Sequence, residues 1–316
     1  MKIIIPGGSG QVGTVLARAF HTDGHEVVVL SRKASDKFEW RVVQWDAKSL
    51  GDWTGEFEGA DVVINLTGRI VNCRYNEENR RQIMDSRVDS TKAVGEAIIN
   101  AKNPPRIWLQ ASTATIYAHR YDAPNDELTG IIGGDEKGAP DTWNFSIDVA
   151  RTWEKTANEF DLPKTRLVLM RSAMTMSPDK DGIFDVMLGL VRKGLGGTAG
   201  NGRQYISWIH DLDFIRAVYW LIEHEELSGA VNISSPKPLP NREFMRIFRE
   251  AWGTKIGLPA TKLMLEIGAF FMRTETELIL KSRRVVPTRL LESGFEFEFP
   301  EWKEAVKDLC QRWGKI

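Results

Sequence analysis

The chain has 316 residues and a nearly balanced charge, with 42 Lys and Arg against 43 Asp and Glu. This balance gives no reason to expect a nucleic acid or an anionic membrane as a partner. No apolar run approaches the roughly 20 residues that a membrane-spanning helix needs, and the apolar start of the chain is too short for a signal peptide. Cys73 and Cys310 fit no metal-binding or redox spacing, so reduced thiols in a cytoplasmic protein without a metal site are expected.

Short apolar runs alternate with helix-length amphipathic segments through about residue 172. The strand candidates are Lys2–Ile5, Glu26–Leu30, Arg41–Trp45, Asp61–Leu66, Arg106–Gln110 and Arg166–Met170. The helix candidates between them are Gln11–His21, Glu77–Asn100 and Thr142–Phe160. Continuously apolar strands that alternate with helices predict an α/β fold whose parallel sheet is covered on both faces. Residues 123–140 are rich in Gly, Pro and Asp, which predicts a long loop at the carboxyl edge of that sheet.

A glycine-rich loop lies between the first strand and the first helix. Glycines at positions 7, 10 and 13 allow a tight turn, a close approach of the backbone to a pyrophosphate, and close packing of helix and strand. The helix N-terminus offers free N–H groups and a partial positive charge to phosphates. A purely structural turn is the alternative, but the strand–loop–helix context favours a Rossmann dinucleotide site. The expected contacts are Gly7, Ser9, Gly10, Gln11, Val12 and Gly13.

The end of the second strand distinguishes NADP from NAD. An NAD site typically carries Asp or Glu there, which accepts a hydrogen bond from the ribose 2′-hydroxyl. This chain has Ser31, Arg32 and Lys33 instead, and Ser and Arg can donate to a 2′-phosphate that a carboxylate would repel. Solvated loop charges are the other interpretation of Arg32 and Lys33, but we predict NADP(H). Further contacts are expected after the third and fourth strands, at Asp46, Ala47, Leu66, Thr67 and Gly68.

The pattern changes after Ser172. A glycine-rich loop is followed by a strand candidate at Gln204–Trp208, a helix candidate at Asp211–Glu225 and a strand candidate at Ala230–Ile233, and from Pro240 the chain is mainly helical. We therefore predict a doubly wound Rossmann domain over residues 1–172, with residues 203–233 returning to its sheet. Residues 173–316 form a smaller, mainly helical part on the substrate side, which ends in a helical tail over residues 255–316.

Several segments together resemble the extended short-chain dehydrogenase/reductase superfamily, whose fold is that of the NAD-dependent epimerases and dehydratases. Residues 65–68 resemble its fourth-strand motif, and residues 111–117 resemble its segment after strand five, with Thr113 at the position of the catalytic hydroxyl. Residues 170–173 resemble the segment that passes the nicotinamide, and residues 208–213 resemble a characteristic helix start. The resemblance implies cofactor contacts at Ala111 and Ala173.

Three further segments are similar to an epimerase-like subgroup of that superfamily. They are residues 83–91, Trp153-Glu154, and residues 284–295, the last of which resembles the subgroup's C-terminal domain of unknown function. Arg87 in the first segment is expected to contact cofactor phosphate, with a structural salt bridge as the alternative. The resemblance implies no particular substrate.

One departure from the superfamily concerns its proton donor. A Tyr-x-x-x-Lys on the helix before strand six normally places Lys beside Tyr, where the positive charge lowers a pKa that is ordinarily about 10. If Trp153-Glu154 is taken as the reference point for the superfamily's spacing, this pair falls at Phe145 and Val149, which cannot transfer a proton. Thr113 and Tyr117 are therefore the catalytic candidates. His119 is a weaker one, because a single loop histidine is more often simply solvated.

Two functions remain open at this point. The first is an NADP-dependent oxidoreductase or epimerase with an unorthodox proton donor, acting on a small carbonyl or sugar-like molecule. The second is a non-catalytic NADP(H)-binding sensor or scaffold. The hydroxyl of Thr113 favours the first, and the absent Tyr and Lys favour the second. The sequence does not indicate an oligomeric state, and the substrate pocket is expected near Thr113, Met174, Tyr205 and Phe270.

Overall fold

A parallel sheet of seven strands forms the centre of the molecule in a computed structural model, which describes residues 1–266 and 275–314. The strand order is β10-β6-β5-β4-β1-β2-β3, so the order reverses at β1, between β4 and β2. In such a sheet, ligands bind beyond the carboxyl ends of the strands at this reversal. The strands are β1 (Lys2–Pro6), β2 (Glu26–Ser31), β3 (Arg41–Gln44), β4 (Val62–Asn65), β5 (Ile107–Thr113), β6 (Arg166–Ser172) and, later in the chain, β10 (Gly229–Ile233).

Helices cover both faces of the sheet, which explains why the strands are continuously apolar. The helices are α1 (Gln11–Thr22), α2 (Glu77–Asn100), α3 (Asp141–Asn158) and α5 (Asp211–Glu223). Ile3 and Ile5 lie in a buried cluster with residues of α1 and α5, whereas Ile4 lies in a separate cluster with residues of α2. Successive strand residues point to opposite faces, so both faces need apolar side chains. The predicted Rossmann-type α/β fold is confirmed.

β5 and β6 continue past their predicted ends. Their pairing runs from Ile107 with Arg166 to Thr113 with Ser172. The extra residues are small or polar and carry no apolar signal, but the parallel backbone ladder includes them. Thr113 therefore lies beside Ser172 at the carboxyl edge of the sheet.

The later part of the chain is divided differently from the prediction. The single strand expected at residues 204–208 is two short strands, β8 (Tyr205–Ile206) and β9 (Trp208–His210), separated by Ser207. The buried Ser207 hydroxyl donates to the Arg283 carbonyl and accepts from the Val285 N–H, at 2.7 and 2.9 Å. Contact with the tail therefore interrupts the strand. The remaining elements of this part are β7 (Met174–Met176), α4 (Ile183–Arg192), β11 (Leu239–Pro240) and α6 (Asn241–Trp252).

The tail contains helices at Glu277–Leu280, Thr288–Glu292 and Trp302–Trp313. Between the first two, the chain runs along the loop that follows β5: the Asn125 N–H donates to the Arg284 carbonyl at 2.7 Å, and the Val286 N–H donates to the Asn125 carbonyl at 3.0 Å. The tail thus reaches the carboxyl edge of the sheet. The segment around Phe270, expected to bound the pocket, lies outside the described residues. Among the described helices, none combines the length and the apolar character needed to cross a bilayer.

Candidate functional site

The glycine-rich loop lies at the carboxyl end of β1, and its three spaced glycines occupy different environments. Gly7 has φ +74°, and a Cβ there would lie 2.7 Å from Thr67 Cα, while a Cβ at Gly13 would lie 2.4 Å from Gly8 Cα. A Cβ at Gly10 would meet only the Gly7 carbonyl oxygen, at 3.8 Å. Gly7 and Gly13 are therefore required by the packing of the protein itself. Gly10 borders open space, as a close approach to a ligand requires.

The first turn of α1 has no internal partner for its N–H groups. The residue before the helix is Gly10, which has no side chain to cap it. Within the described part of the chain, two buried polar atoms beside this loop, Gln11 Nε2 and Thr67 Oγ1, also have no hydrogen-bond partner. Val12 packs against the apolar core beneath. These residues fit a dinucleotide whose phosphates would lie at the helix N-terminus.

The ends of β2 and β3 form the side of the site predicted for the adenosine ribose. Ser31 Oγ lies 3.2 Å from Ser9 Oγ, which joins the end of β2 to the glycine loop. Arg32 and Lys33 are exposed, so their cationic groups are available to a phosphate. Asp46 accepts from the N–H groups of residues 48 and 49, both at 2.8 Å, and these bonds lower the pKa of its carboxyl. Asp46 and Ala47, whose φ is +64°, thus shape the turn after β3.

The loop after β4 is held by backbone and buried side-chain contacts. The Leu66 N–H donates to the Pro6 carbonyl at 2.9 Å, which joins β4 to β1. Arg87 donates to the carbonyls of Arg69 and Ile83 at 3.2 and 3.0 Å, and a Cβ on Gly68 would lie 3.2 Å from its Cζ. Burial lowers the pKa of Arg87 to about 10. Arg87 therefore supports this loop, and its contact with cofactor phosphate stays a prediction.

The nicotinamide end of the predicted site comprises β5, β6 and the residues after them. Thr113 is half-buried, and its hydroxyl oxygen accepts from the Thr115 N–H at 3.1 Å. The Ala173 N–H donates to the Ile233 carbonyl at 3.0 Å, which fixes the segment after β6. Ala111 lies two residues before Thr113 on β5. These three residues lie near the carboxyl edge of the sheet, and their contacts with a cofactor stay a prediction.

Tyr117 occupies a different environment from Thr113. Its side chain is 2% exposed, and its hydroxyl lies 3.0 Å from Asn232 Oδ1 and 3.0 Å from the Arg171 guanidinium that donates to it. Arg171 also forms a two-fold ion pair with Glu154 of α3, at 2.8 Å for each contact. Burial raises the pKa of Tyr117. These contacts join β6, β10 and α3, so the geometry favours a structural role for this hydroxyl.

Phe145 and Val149 on α3 are part of an apolar cluster. The ring of Phe145 packs edge-on against Tyr75 at 5.1 Å, and the Arg80 guanidinium lies 4.9 Å from the Phe145 ring centre. Val149 is 6% exposed and packs with Tyr75 and Ile83. The two positions that the sequence register predicts for Tyr and Lys thus hold side chains in an apolar environment, and their correspondence to that pair stays a prediction.

A buried polar cluster next to Phe145 was not anticipated from the sequence. Ser146 Oγ donates to Glu277 Oε2 at 2.5 Å, and Arg283 Nη2 lies 3.6 Å from Glu277 Oε1. Arg283 Nε also donates to Thr115 Oγ1 at 3.0 Å, and Lys281 Nζ donates to the Thr115 carbonyl at 2.8 Å. The three charged residues come from the tail, more than 130 positions from Ser146. In the sequence they look like an ordinary solvated helix and its flank, so only their spatial contacts identify them.

Burial changes the ionisation of this cluster. It raises the pKa of Glu277 and lowers the pKa of Lys281 to about 8, with the neighbouring Arg283 lowering that of Lys281 further. His119 is a neighbour whose Nδ1 accepts from the Ser282 N–H at 2.7 Å. Burial lowers the pKa of His119, which favours the neutral ring needed to accept that bond. His119 therefore fixes the tail to the loop after β5.

Comparison with known proteins agrees with this architecture. Residues 3–133 match the model of the NAD dependent epimerase/dehydratase family, and residues 260–309 match a domain of unknown function, DUF1731. An epimerase family protein of Staphylococcus epidermidis is 30% identical over 313 residues, which cover 98% of this chain and 99% of that protein. The human epimerase family protein SDR39U1 is 29% identical over 314 residues, with the same coverage.

Solved structures show the same fold. The crystal structure of human SDR39U1 (isoform 2) with NADPH has a TM-score of 0.84 and 29% identity, and the match covers 98% of this chain and 99% of that one. The UDP-N-acetylglucosamine 4-epimerase of Bacillus cereus shares the fold at 18% identity, with a TM-score of 0.74 and 99% coverage of both chains. The chain therefore belongs to the epimerase family of the short-chain dehydrogenase/reductase superfamily, in the group that carries the C-terminal domain of unknown function.

Proposed function

We propose that this protein is an NADP(H)-dependent oxidoreductase or epimerase that acts on a small carbonyl or sugar-like molecule. The observation that carries the proposal is the open cradle at Gly10, bordered at the end of β2 by Ser31 and the exposed Arg32 in place of a carboxylate. The presence of NADPH in the structure of human SDR39U1 supports the same cofactor here.

Each part of the site has a separate task in this proposal. The N–H groups of the first turn of α1 bind the pyrophosphate, and Ser31 and Arg32 bind the 2′-phosphate. The bound cofactor supplies or accepts a hydride. Thr113, at the carboxyl end of β5, orients the oxygen of the substrate by a hydrogen bond. The tail and the loop after β5 close the substrate side of the crevice and restrict access of water.

A second function, NADP(H) binding without catalysis, is favoured by one observation. Phe145 and Val149, which the sequence register predicts at the positions of the proton donor and its lysine, pack in an apolar cluster. In this case the protein would bind cofactor tightly and would sense it or act as a scaffold.

Two measurements separate these functions. Titration calorimetry with NADPH and NADH tests the cofactor, and equal affinities would contradict the NADP assignment. Single-turnover loss of NADPH absorbance, measured against a panel of carbonyl compounds, tests for chemistry. We expect slow turnover that Thr113→Val reduces, with Thr152→Val on the outer part of α3 as the matched control. Tight NADPH binding without turnover on any member of the panel would favour the non-catalytic function.

A further inference from the structure

The polar cluster beside Phe145 has an arrangement that its structural contacts do not explain. The carboxyl group of Glu277 is fully buried, and one of its oxygens, Oε1, has no hydrogen-bond partner among the described residues. Its other oxygen accepts from Ser146 at 2.5 Å. Oε1 is faced by the ion pair with Arg283, at 3.6 Å. A buried carboxylate is costly unless its oxygens are fully hydrogen-bonded, so the missing hydrogen bond at Oε1 calls for an explanation.

The position of Ser146 suggests that explanation. Ser146 follows Phe145, the residue that the sequence register aligns with the proton-donating Tyr of the superfamily. Ser146 is only partly buried, whereas Glu277 is not exposed. Arg283 connects Glu277 to Thr115, two residues after Thr113. The Ser146–Glu277 pair is therefore linked through Arg283 to the segment that follows Thr113, and Ser146 itself lies on α3, the helix on which the family resemblance places the proton donor.

We propose that Ser146 and Glu277 form a proton relay that replaces the missing Tyr and Lys, in which Ser146 exchanges the proton with the substrate oxygen and Glu277 stores it. This inference rests on the proposed function, because it requires a carbonyl or hydroxyl substrate and NADP(H) as the redox partner. Glu277 was not among the residues that the sequence singled out.

The proton balance of the relay is simple. In reduction, the carbonyl carbon gains a hydride from NADPH, the C=O π bond breaks, and the oxygen takes the Ser146 hydroxyl proton. Ser146 takes the proton of the Glu277 carboxylic acid in the same step, which leaves NADP⁺, the alcohol and a Glu277 carboxylate. Oxidation of an alcohol runs the sequence backwards and returns the proton to Glu277.

The surroundings of Glu277 suit a group that gains and loses a proton. Burial favours its neutral acid, whereas the cations of Arg283 and Lys281 and the Ser146 hydrogen bond favour its carboxylate, and Glu275 opposes them. Burial and, to a lesser extent, the charge of Glu277 raise the pKa of Tyr75 to about 12, against a hydrogen bond between Tyr75 and Ser146 that lowers it. The net effect is to raise the pKa of Glu277, so burial keeps the proton on this carboxyl, and the neighbouring cations and Ser146 are the groups that would stabilise the carboxylate once the proton has left.

The first test measures the proton on Glu277 without any substrate. Infrared difference spectra between the wild type and Glu277→Gln, both loaded with NADP⁺, should contain a carboxylic acid signal. We expect it to titrate above the ordinary Glu pKa of about 4.3. Ser146→Ala should move its midpoint further up, because the carboxylate loses a donor. A midpoint at or below the ordinary value, or one that Ser146→Ala leaves unchanged, would overturn the relay.

The second test measures catalysis with 9,10-phenanthrenequinone as the carbonyl probe. Ser146→Ala and Glu277→Gln should lower kcat by about 10²–10⁴-fold, the range of positioned acid–base catalysis, and should leave NADPH affinity unchanged. Ser146→Thr keeps a hydroxyl and should restore most of kcat, which separates loss of the relay from misfolding. Glu159→Gln is the control: this carboxylate directly follows α3, its side chain is 57% exposed, and the substitution should change kcat by less than about twofold.

The two tests distinguish failure of the relay from failure of the proposed function. A wild type that does not bind NADPH contradicts the proposed function, whatever the infrared titration shows. A wild type that binds NADPH but reduces no probe, or variants of Ser146 and Glu277 with wild-type kcat, would overturn the relay and leave cofactor binding intact.

Discussion

The predicted cofactor side and the proposed substrate side of the site are built in different ways. The cofactor side consists of backbone, glycines and small residues from short stretches near the strand ends, with its cations, Arg32 and Lys33, exposed to solvent. The proposed substrate side is assembled from side chains distant in sequence, and it buries the ionisable groups of Glu277 and Lys281 beside a partly buried Arg283. Phosphate recognition needs only backbone N–H groups and space, whereas proton transfer needs ionisable side chains in a controlled environment.

The two sides therefore have different energetic consequences. A glycine loop places little charge in the interior and contributes to function mainly through its shape. Each buried charge on the substrate side loses hydration, and only part of that loss is offset by neighbouring opposite charges. Substitutions on the cofactor side should change affinity without changing stability, and several substitutions on the substrate side should change stability.

The largest effect is expected for Gly10→Val. Gly10 has φ −80°, and its Cβ direction is open, so valine should be accepted by the fold but should occupy the space of the pyrophosphate. NADPH affinity should fall by at least about 10³-fold, or about 4 kcal/mol, with an unchanged melting temperature. Gly13→Val is the contrasting variant, since its Cβ meets Gly8 backbone and the protein itself should be destabilised. Calorimetry and thermal melts check both, and native NADPH affinity in Gly10→Val would contradict the location of the phosphate site.

Lys281→Met should stabilise the protein at neutral pH. Lys281 is 1% exposed, and its folded-state pKa of about 8 lies below the ordinary value of 10.5, so folding opposes its protonation. The variant should gain up to about 3 kcal/mol at pH 7, reduced by the lost bond to the Thr115 carbonyl.

The pH dependence of that gain has a definite sign. Between pH 8 and about 10.5, the unfolded wild type binds a proton that the folded form does not, so wild-type stability rises with pH and the difference shrinks. Urea unfolding at several pH values measures this trend. Lys155→Met, at a side chain that is 78% exposed, should show no such trend. A constant difference across the range would show that Lys281 is not a buried cation.

Tyr117→Phe should cost about 1–3 kcal/mol of stability, because it leaves the buried Asn232 and Arg171 groups each without one partner. NADPH affinity should not change. Tyr121→Phe, at a side chain that is 38% exposed, is the matched control and should stay within about 0.5 kcal/mol. Chemical denaturation checks both variants. Loss of kcat at unchanged stability would instead support the catalytic role that the sequence predicts for Tyr117.

The smallest effect is expected at Arg32, because its guanidinium is exposed and screened by solvent. The wild type should prefer NADP(H) over NAD(H) by at least about tenfold, or about 1.4 kcal/mol. Arg32→Ala should remove most of this preference, and Arg32→Asp should reverse it. Lys37→Ala, at another exposed cation in the same loop, should preserve it. Calorimetry with both cofactors is the measurement, and a preference unchanged in Arg32→Ala would assign the 2′-phosphate to other residues.

The sequence by itself determined the Rossmann fold and the location of the glycine loop. Apolar strands, amphipathic helices and spaced glycines are local patterns. Each can be recognised within one short segment, because the backbone geometry of a strand, a helix or a tight turn fixes the residue spacing. For the same reason the end of β2 could be interpreted from Ser31 and Arg32 alone. The ends of β5 and β6 could not be predicted in this way. Their last residues are small or polar, and they belong to the strands only because β5 and β6, which lie 53 or more positions apart in the chain, pair along a ladder.

Only the tertiary structure decided what surrounds the predicted nicotinamide end of the site. Tyr117 matched a local motif, yet its hydroxyl is buried between β6 and β10, because Arg171 and Asn232 from these two distant strands bind it. Glu277 and Lys281 had the local appearance of a solvated helix, and they are buried because the tail packs on the loop after β5. Burial and pairing arise when side chains from distant segments meet in the folded protein. The residue spacing within one segment does not specify which distant residues will pack against it.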